Sequence, residues 1–470
     1  MTLLVLALYT AAMLALGYAA ARYTQRSPAD YYLAGRSLGL VAFPLTQFAT
    51  LMSAFVFLGS GGWAYRHGFA WYPPIGIEAF LGVAMALVGY RAWILARQHG
   101  ALTPPELLGR LTGSEAVRVL VALVQLFWAV PYLAIQAVGG GHLLSALSGG
   151  AIPYGLGALL VTLLSAGYLL WGGLRAVAWT DVFQGLFIAV ALLVAVPYVF
   201  HALPVSELTQ KLARELPGML QPQGAQGFFT PRMMFSFMLM NVLAVLAYPQ
   251  LFQKYFAARS AEAFRALAVW WPPLTAVVAL VPVLLGVWGR ALWPDLKDVD
   301  QVIPRLVGAY APAWVGGVLL GGALSAMMST KDSILLTMAS ILDHDLLRRR
   351  APGPERSLAR ARALTGLLLL ASYLLALTRP PSIVGLAVHF IQGNALLAPA
   401  FLATLYGRVN AAGVLASVVV GQLSFAAAEA GLLPSFGFAS FVPALVLSGL
   451  ALWAGSYLGR PAPSPVAARG

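Results

Sequence analysis

Ser329, Thr330, Lys331, Asp332 and Ser333 fall in one otherwise apolar stretch, 312–342, long enough to cross a membrane. On a helix Ser329 and Ser333 share a face, with Thr330 beside them. Hydroxyl and carbonyl oxygens are what a hard cation such as Na+ takes. The same hydroxyls can also simply bond to carbonyls one turn back. Lys331 and Asp332, with Glu78 and Asp181 in other apolar stretches, are ionisable groups where each costs about 2.5–3.5 kcal/mol. Such residues mark a transport path or neutralise one another, here Lys331 with Asp332 or Asp181.

Two apolar stretches read as interrupted helices. Stretch 38–64 carries Gly59-Ser60-Gly61-Gly62, a poor helix interior, and the sequence predicts a break there. Stretch 229–252 carries Ala247-Tyr248-Pro249-Gln250, where Pro249 removes a helix hydrogen bond. Broken backbone at membrane depth is tolerated only where it faces protein or a cavity. The two stretches are the second and seventh of their kind. That spacing of five is expected of an inverted-repeat transporter, whose site lies between the broken helices.

These residues need many spans to position them, and the composition supplies them. Hydrophobic residues make up 60% of the 470 and charged residues only 10%; the mean hydropathy is +0.81. A soluble enzyme is excluded, because soluble domains carry about a quarter charged residues. The pattern predicts an all-α polytopic membrane protein with thirteen transmembrane helices. Most Lys and Arg, Lys254 and the Arg348–Arg350 run among them, are assigned to inner loops and helix ends. The positive-inside rule then puts the N-terminus outside and the C-terminus in the cytoplasm, in the cell's inner membrane. The net charge of +13 therefore reads as topology rather than nucleic-acid binding, and no obligate protein partner is indicated. The absence of cysteine excludes thiol catalysis and disulfides. Expected units are 1–37 (leading helix and inner loop), 38–200 (first repeat), 201–228 (outer connection), 229–406 (second repeat) and 407–470 (two trailing helices and tail).

Four stretches carry a family resemblance. They are Asp30-Tyr31-Tyr32-Leu33-Ala34-Gly35-Arg36, Gly172-Gly173-Leu174-Arg175-Ala176-Val177-Ala178-Trp179-Thr180-Asp181, Ala326-Met327-Met328-Ser329-Thr330-Lys331-Asp332-Ser333, and Leu397-Ala398-Pro399 followed by Leu405-Tyr406-Gly407-Arg408. Together they resemble the sodium/solute symporter family, and the run Met52-Ser53-Ala54-Phe55 with Trp63-Ala64-Tyr65-Arg66-His67-Gly68 resembles its monocarboxylate and organic-acid branch. The resemblance implies a leucine-transporter-like 5+5 inverted repeat and Na+ as coupling ion. It implies a Na+ site on the carbonyls of Ala49, Met52 and Ala326 and the hydroxyls of Ser329 and Thr330. It further implies that a second Na+, where present, uses Asp181, Ser329, Asp332 and Ser333. Lys331 stands where relatives usually have a small residue, which makes it a candidate coupling group.

The expected activity is symport of Na+ with a small organic solute by alternating access. Ser53, Phe55, Val56, Phe57, Gly59, Tyr248, Gln250 and Gln392 are the candidate lining of the solute site, and His389 and Asn394 stand near it in sequence. A free N–H at the break suits a carboxylate, so a monocarboxylate or amino acid is favoured. The alternative is Na+-independent transport, driven by protons through Lys331 and Asp181 or by the solute gradient. A membrane enzyme is not expected, since no paired catalytic constellation stands out.

Overall fold

A computed structural model of the chain describes residues 2–24, 27–347, 354–379, 383–407 and 409–458. The Arg348–Arg350 run and Arg408 lie outside them. Among the described residues every regular element is helical, apart from one isolated bridge between Leu38 and Ala258. In hydrocarbon there is no water to satisfy backbone groups, so an apolar chain closes them within helices.

In chain order the principal helices are α1 (Thr2–Ala21), α2 (Ala42–Leu51), α3 (Ser60–His67), α4 (Leu81–His99), α5 (Glu115–Leu147), α6 (Tyr154–Ala202), α7 (Pro231–Val245), α8 (Pro249–Ala257), α9 (Glu262–Leu292), α10 (Ala313–Ile341), α11 (Pro354–Leu377), α12 (Ile383–Ala395), α13 (Ala398–Tyr406), α14 (Ala411–Glu429) and α15 (Phe441–Leu458). Helix α10 runs through the middle, packed on α1, α2, α5, α6 and α11. Its side chains from Leu319 to Ile341 are all buried.

Eleven helical stretches among the described residues are long and apolar enough to cross a membrane, against the thirteen the sequence predicts. The counts differ at Phe55–His99 and Tyr154–Ala191, each continuous in length and composition. The sequence reading divides both. Each contains a glycine with positive φ, Gly68 at 81° and Gly173 at 54°.

Gly173 shows why such a position is chemically fixed. With φ 54° and ψ −149° it holds a conformation open essentially to glycine alone. A Cβ there would also lie 2.4 Å from the Tyr31 carbonyl oxygen. Around it Arg175 donates to Asp30 Oδ1 at 2.8 Å, and Thr24 Oγ1 donates to the Gly172 carbonyl at 2.9 Å. Two of the stretches that carry the resemblance thus pack on each other. Gly173→Ala is expected to cost about 1–3 kcal/mol and to lower the thermal midpoint of the purified protein. An unchanged midpoint would show that this turn relaxes freely.

The first helix break does not fall where composition places it. Helix α2 stops at Leu51, and Met52 turns out of the helix with ψ 121°. Ser53 follows, and a π-helical segment, Phe55–Gly59, leads into α3. Gly61 and Gly62 are helical instead. They allow close approach: a Cβ on Gly61 would stand 2.6 Å from Ile303 Cδ1, and one on Gly286 of α9 would stand 2.1 Å from the Gly61 carbonyl oxygen. The second break falls as expected. Tyr248 is extended, as a residue before proline prefers, and Pro249 starts α8, where its missing N–H is no loss. A third interruption, at Leu396 and Leu397, separates α12 from α13.

Candidate functional site

Where α2 stops, its last carbonyls have no partner within the helix. Thr330 on α10 meets them. Its hydroxyl donates toward the Thr50 carbonyl at 2.9 Å and the Met52 carbonyl at 2.5 Å. Of the five expected Na+ ligands, Met52 and Thr330 are joined directly. Ala49 and Ala326 are fully buried on the same two helices. Ser329 Oγ donates to Asp181 Oδ1 at 2.6 Å, which leaves the lone pairs of that oxygen free to accept or to ligate. Carbonyls and hydroxyls converging in a dry setting suit Na+.

Beside this break lies a second polar cluster, and its centre is Lys254. The sequence reading assigns Lys254 to the inner loops and helix ends; the structure buries it to 1% exposure on α8. Its Nζ donates to Asp181 Oδ2 at 2.7 Å, to the Thr46 carbonyl at 3.0 Å, to Thr46 Oγ1 at 2.8 Å, and to Thr50 Oγ1. Thr46 Oγ1 also donates to Asp181 Oδ2. Ser333 Oγ lies 3.0 Å from Thr50 Oγ1. Pro249 fixes the start of α8, and one turn and a half later Lys254 faces inward between α2, α6 and α10.

Lys331 and Asp332 go elsewhere. Lys331 Nζ donates to Thr162 Oγ1 on α6 at 2.6 Å, not to Asp181 or Asp332 as the sequence suggests. Tyr168 donates to Asp332 Oδ2. Asp332 is therefore not hydrogen-bonded into the Asp181 cluster with which the resemblance grouped it. Asp181, Ser329 and, through Thr50, Ser333 do share one network.

The expected solute residues divide. Ser53, at the break, accepts from Tyr132 Oη at 3.1 Å. Tyr132 stacks on Phe390 with ring centroids 4.0 Å apart, and Tyr248 stacks on the same ring at 5.0 Å. The two helix breaks are thus joined through an aromatic stack. Gln250 is buried with Oε1 unpartnered, and Gln392 is buried on α12. Val56 and Phe57 are buried. Phe55 meets Trp71, in an aromatic group with Trp63 and Phe229. Gly59 packs on Val384, where a Cβ would approach to 2.8 Å. The sequence predicts a free N–H at the Gly59-Ser60-Gly61-Gly62 run; at the break as the structure places it the N–H is that of Ala54, and it donates to Gln136 Oε1 at 3.0 Å. His389 lies outside this group; it is half exposed and pairs with Glu429 at 3.3 Å.

A cavity of about 720 Å³ is lined by Arg66 and His142 near helix ends and by Lys297, Asp298, Asp300 and Arg379 outside the spans. Asp300 is 6% exposed. Burial pushes its carboxyl up to about 7, against the Ile383 N–H that donates to it at 3.3 Å; Asp298 adds to the rise and Arg66 opposes it. A carboxyl raised on folding binds its proton more tightly in the folded state, so its contribution to stability is lost as pH rises from about 4 to about 7. Asp300→Asn is expected to flatten that pH dependence and to raise stability at pH 8 by about 4 kcal/mol at most, read as a higher thermal midpoint. Parallel wild-type and variant midpoints across this range would contradict the assignment.

Sequence reasoning missed Lys254, Thr46, Thr50, Tyr132 and Gln136. A signal existed for Lys254: it sits within Leu251-Phe252-Gln253-Lys254-Tyr255-Phe256, an apolar and aromatic run right after Pro249.

The sequence model of the "Sodium:solute symporter family" matches residues 31–421. The chain is 29% identical over 443 residues to the sodium/pantothenate symporter of Escherichia coli (strain K12), covering 92% of this chain and 91% of that one. It is 27% identical over 434 residues to the high-affinity proline transporter PutP of Bacillus subtilis (strain 168), covering 87% and 88%. Among solved structures, a Na+-coupled sialic acid symporter in a substrate-bound outward-open state aligns with a TM-score of 0.79 at 20% identity, over 98% of each chain. MhsT in complex with L-phenylalanine aligns with a TM-score of 0.54 at 12% identity, over 88% of this chain and 97% of that one. These neighbours share the leucine-transporter fold. With the family matched over most of its length, the chain belongs to the sodium:solute symporter family, as a multi-pass membrane transporter that uses Na+ as coupling ion and is not an enzyme.

Proposed function

We propose that the protein carries a small carboxylate-bearing solute, with pantothenate and proline the first to test, together with Na+ by alternating access. One observation carries this reading: the Thr330 hydroxyl meets the Met52 and Thr50 carbonyls where α2 is interrupted. A Na+ ligated there ties α2 to α10. It thereby favours the state in which the region of Ser53, Tyr132, Tyr248 and Phe390 forms the solute site. Solute then permits the bundle to rock, and both are released on the other side. Among the similar proteins, the named solutes pantothenate and proline both bear a carboxylate. In this chain a carboxylate at the break competes with Gln136 for the Ala54 N–H.

The architecture we favour has thirteen spans, with 38–200 and 229–406 as inverted halves, the N-terminus outside and the C-terminus in the cytoplasm. The membrane potential then contributes about 2.3 kcal/mol per charge for each 100 mV.

The test is uptake into proteoliposomes. Labelled pantothenate, proline, lactate and pyruvate are offered under an inward Na+ gradient, with Na+ replaced by K+, or with an inward proton gradient. Uptake of one solute only with Na+ is expected. Uptake indifferent to Na+ but raised by the proton gradient would overturn this reading in favour of coupling through Lys331, which is fully buried with Thr162 as hydrogen-bond acceptor.

A further inference from the structure

Four oxygens surround Lys254 Nζ: Asp181 Oδ2, the Thr46 carbonyl, Thr46 Oγ1 and Thr50 Oγ1. They come from α2 and α6, while the lysine comes from α8. This is a small cage of hard oxygens, one of them anionic, in a fully buried setting. It is the donor set a monovalent cation would take, and a cation already sits in it. We propose that the Lys254 ammonium is a tethered cation filling the Asp181 cage, so that this chain binds one Na+, at the helix break, rather than two. The inference rests on the Na+-coupled reading above.

Three features support it. First, charge: Asp181 is compensated by Lys254 at 2.7 Å, and the pair is neutral. A further cation among the same oxygens meets a fixed positive charge at close range, where a low dielectric makes the repulsion strong. Second, capacity: Asp181 Oδ2 already serves Lys254 and Thr46, and Oδ1 accepts from Ser329. Asp332 makes no hydrogen bond to the cage, and its Oδ2 accepts from Tyr168. Third, division of labour: because Ser329 spends its proton on Asp181, its oxygen lone pairs are free for the ion at the break. Asp181 and Lys254 thus act as positioning residues for the Na+ site. Lys254 also fastens the half-helix after the second break to the half-helix before the first.

The experiment counts radiolabelled Na+ bound at equilibrium by the purified full-length chain in detergent, and so needs no solute. The wild type is expected to saturate at one Na+ per chain. K254M leaves the Asp181 carboxylate bare and is expected to saturate at two, while K254M/D181N, with neither charge, returns to one. Since K254M alone can lose the fold, the wild type and the neutral double variant keep the count decidable. Two Na+ in the wild type, or in the neutral double variant, would overturn the inference, as would a folded K254M that still binds one. No Na+ bound by the wild type would instead overturn the Na+-coupled reading on which the inference rests.

Discussion

Exchanging Ser329 for Ala together with Thr330 for Val is expected to abolish Na+ stimulation of uptake. Thr330 Oγ1 is the group that reaches across from α10 to the Met52 carbonyl, at 2.5 Å. Valine has the same shape and no oxygen, so the change removes the ligand without opening a cavity. Ser329 supplies the adjacent oxygen. A tenfold weakening corresponds to about 1.4 kcal/mol, and losing two of five oxygens should exceed that, moving half-saturation beyond ordinary Na+ concentrations. The second readout needs no solute: a bound ion stabilises the folded state by mass action, so Na+ should raise the thermal midpoint of the wild type relative to K+, and not that of the double variant. Thr330→Ser keeps the hydroxyl and should keep both responses. An unchanged Na+ response in the double variant would remove this site from the mechanism.

Asp181→Asn is expected to give the largest loss of stability. Lys254 is nearly wholly buried, and among the described residues the carboxylate in ion-pair contact with it is Asp181, at 2.7 Å. Removing one member of a buried pair leaves the other charge uncompensated, at about 3–5 kcal/mol. That approaches the whole stability of many folded proteins, about 5–15 kcal/mol. Replacing both partners, as D181N with K254M, should recover part of the loss, because the pair's desolvation is relieved together with its attraction. Thermal midpoints of the four members of this cycle measure the coupling. If D181N alone melts like the wild type, Lys254 is not held by Asp181.

The single variants T330V and S329A separate roles that lie side by side on α10. Thr330 points to the break in α2, while Ser329, one residue earlier, points to the carboxylate on α6. Loss of Na+ response with retained stability is expected of T330V, whereas S329A, which also removes the bond to Asp181, is expected to lose both.

The sequence by itself determined the class and the family, and it named candidate residues for the ion site. Long apolar runs with few charges leave no soluble alternative, since backbone groups in hydrocarbon must close within helices. The motif around Thr330 and the one around Asp181 singled out two helices, because each carries an ionisable group at membrane depth, where it is costly. Pro249 located the second break, because proline acts through local chemistry: it lacks an N–H and restrains its predecessor. The tertiary structure decided what depends on neighbours far away in the chain. The first break moved from the glycines to Met52 and Ser53, because Gly61 and Gly62 serve close packing against α9, Ile303 and Asp300 rather than chain reversal. Lys331 and Asp332 look like a pair in sequence, yet successive helical residues point about 100° apart, and each found its own partner on α6. Lys254, read as an inner-side cation from its place near the end of a span, became the centre of the polar core. Periodicity tells which face of a helix a residue occupies, but the helix that covers that face is chosen by packing of the whole bundle, and that choice gave Asp181 its cation.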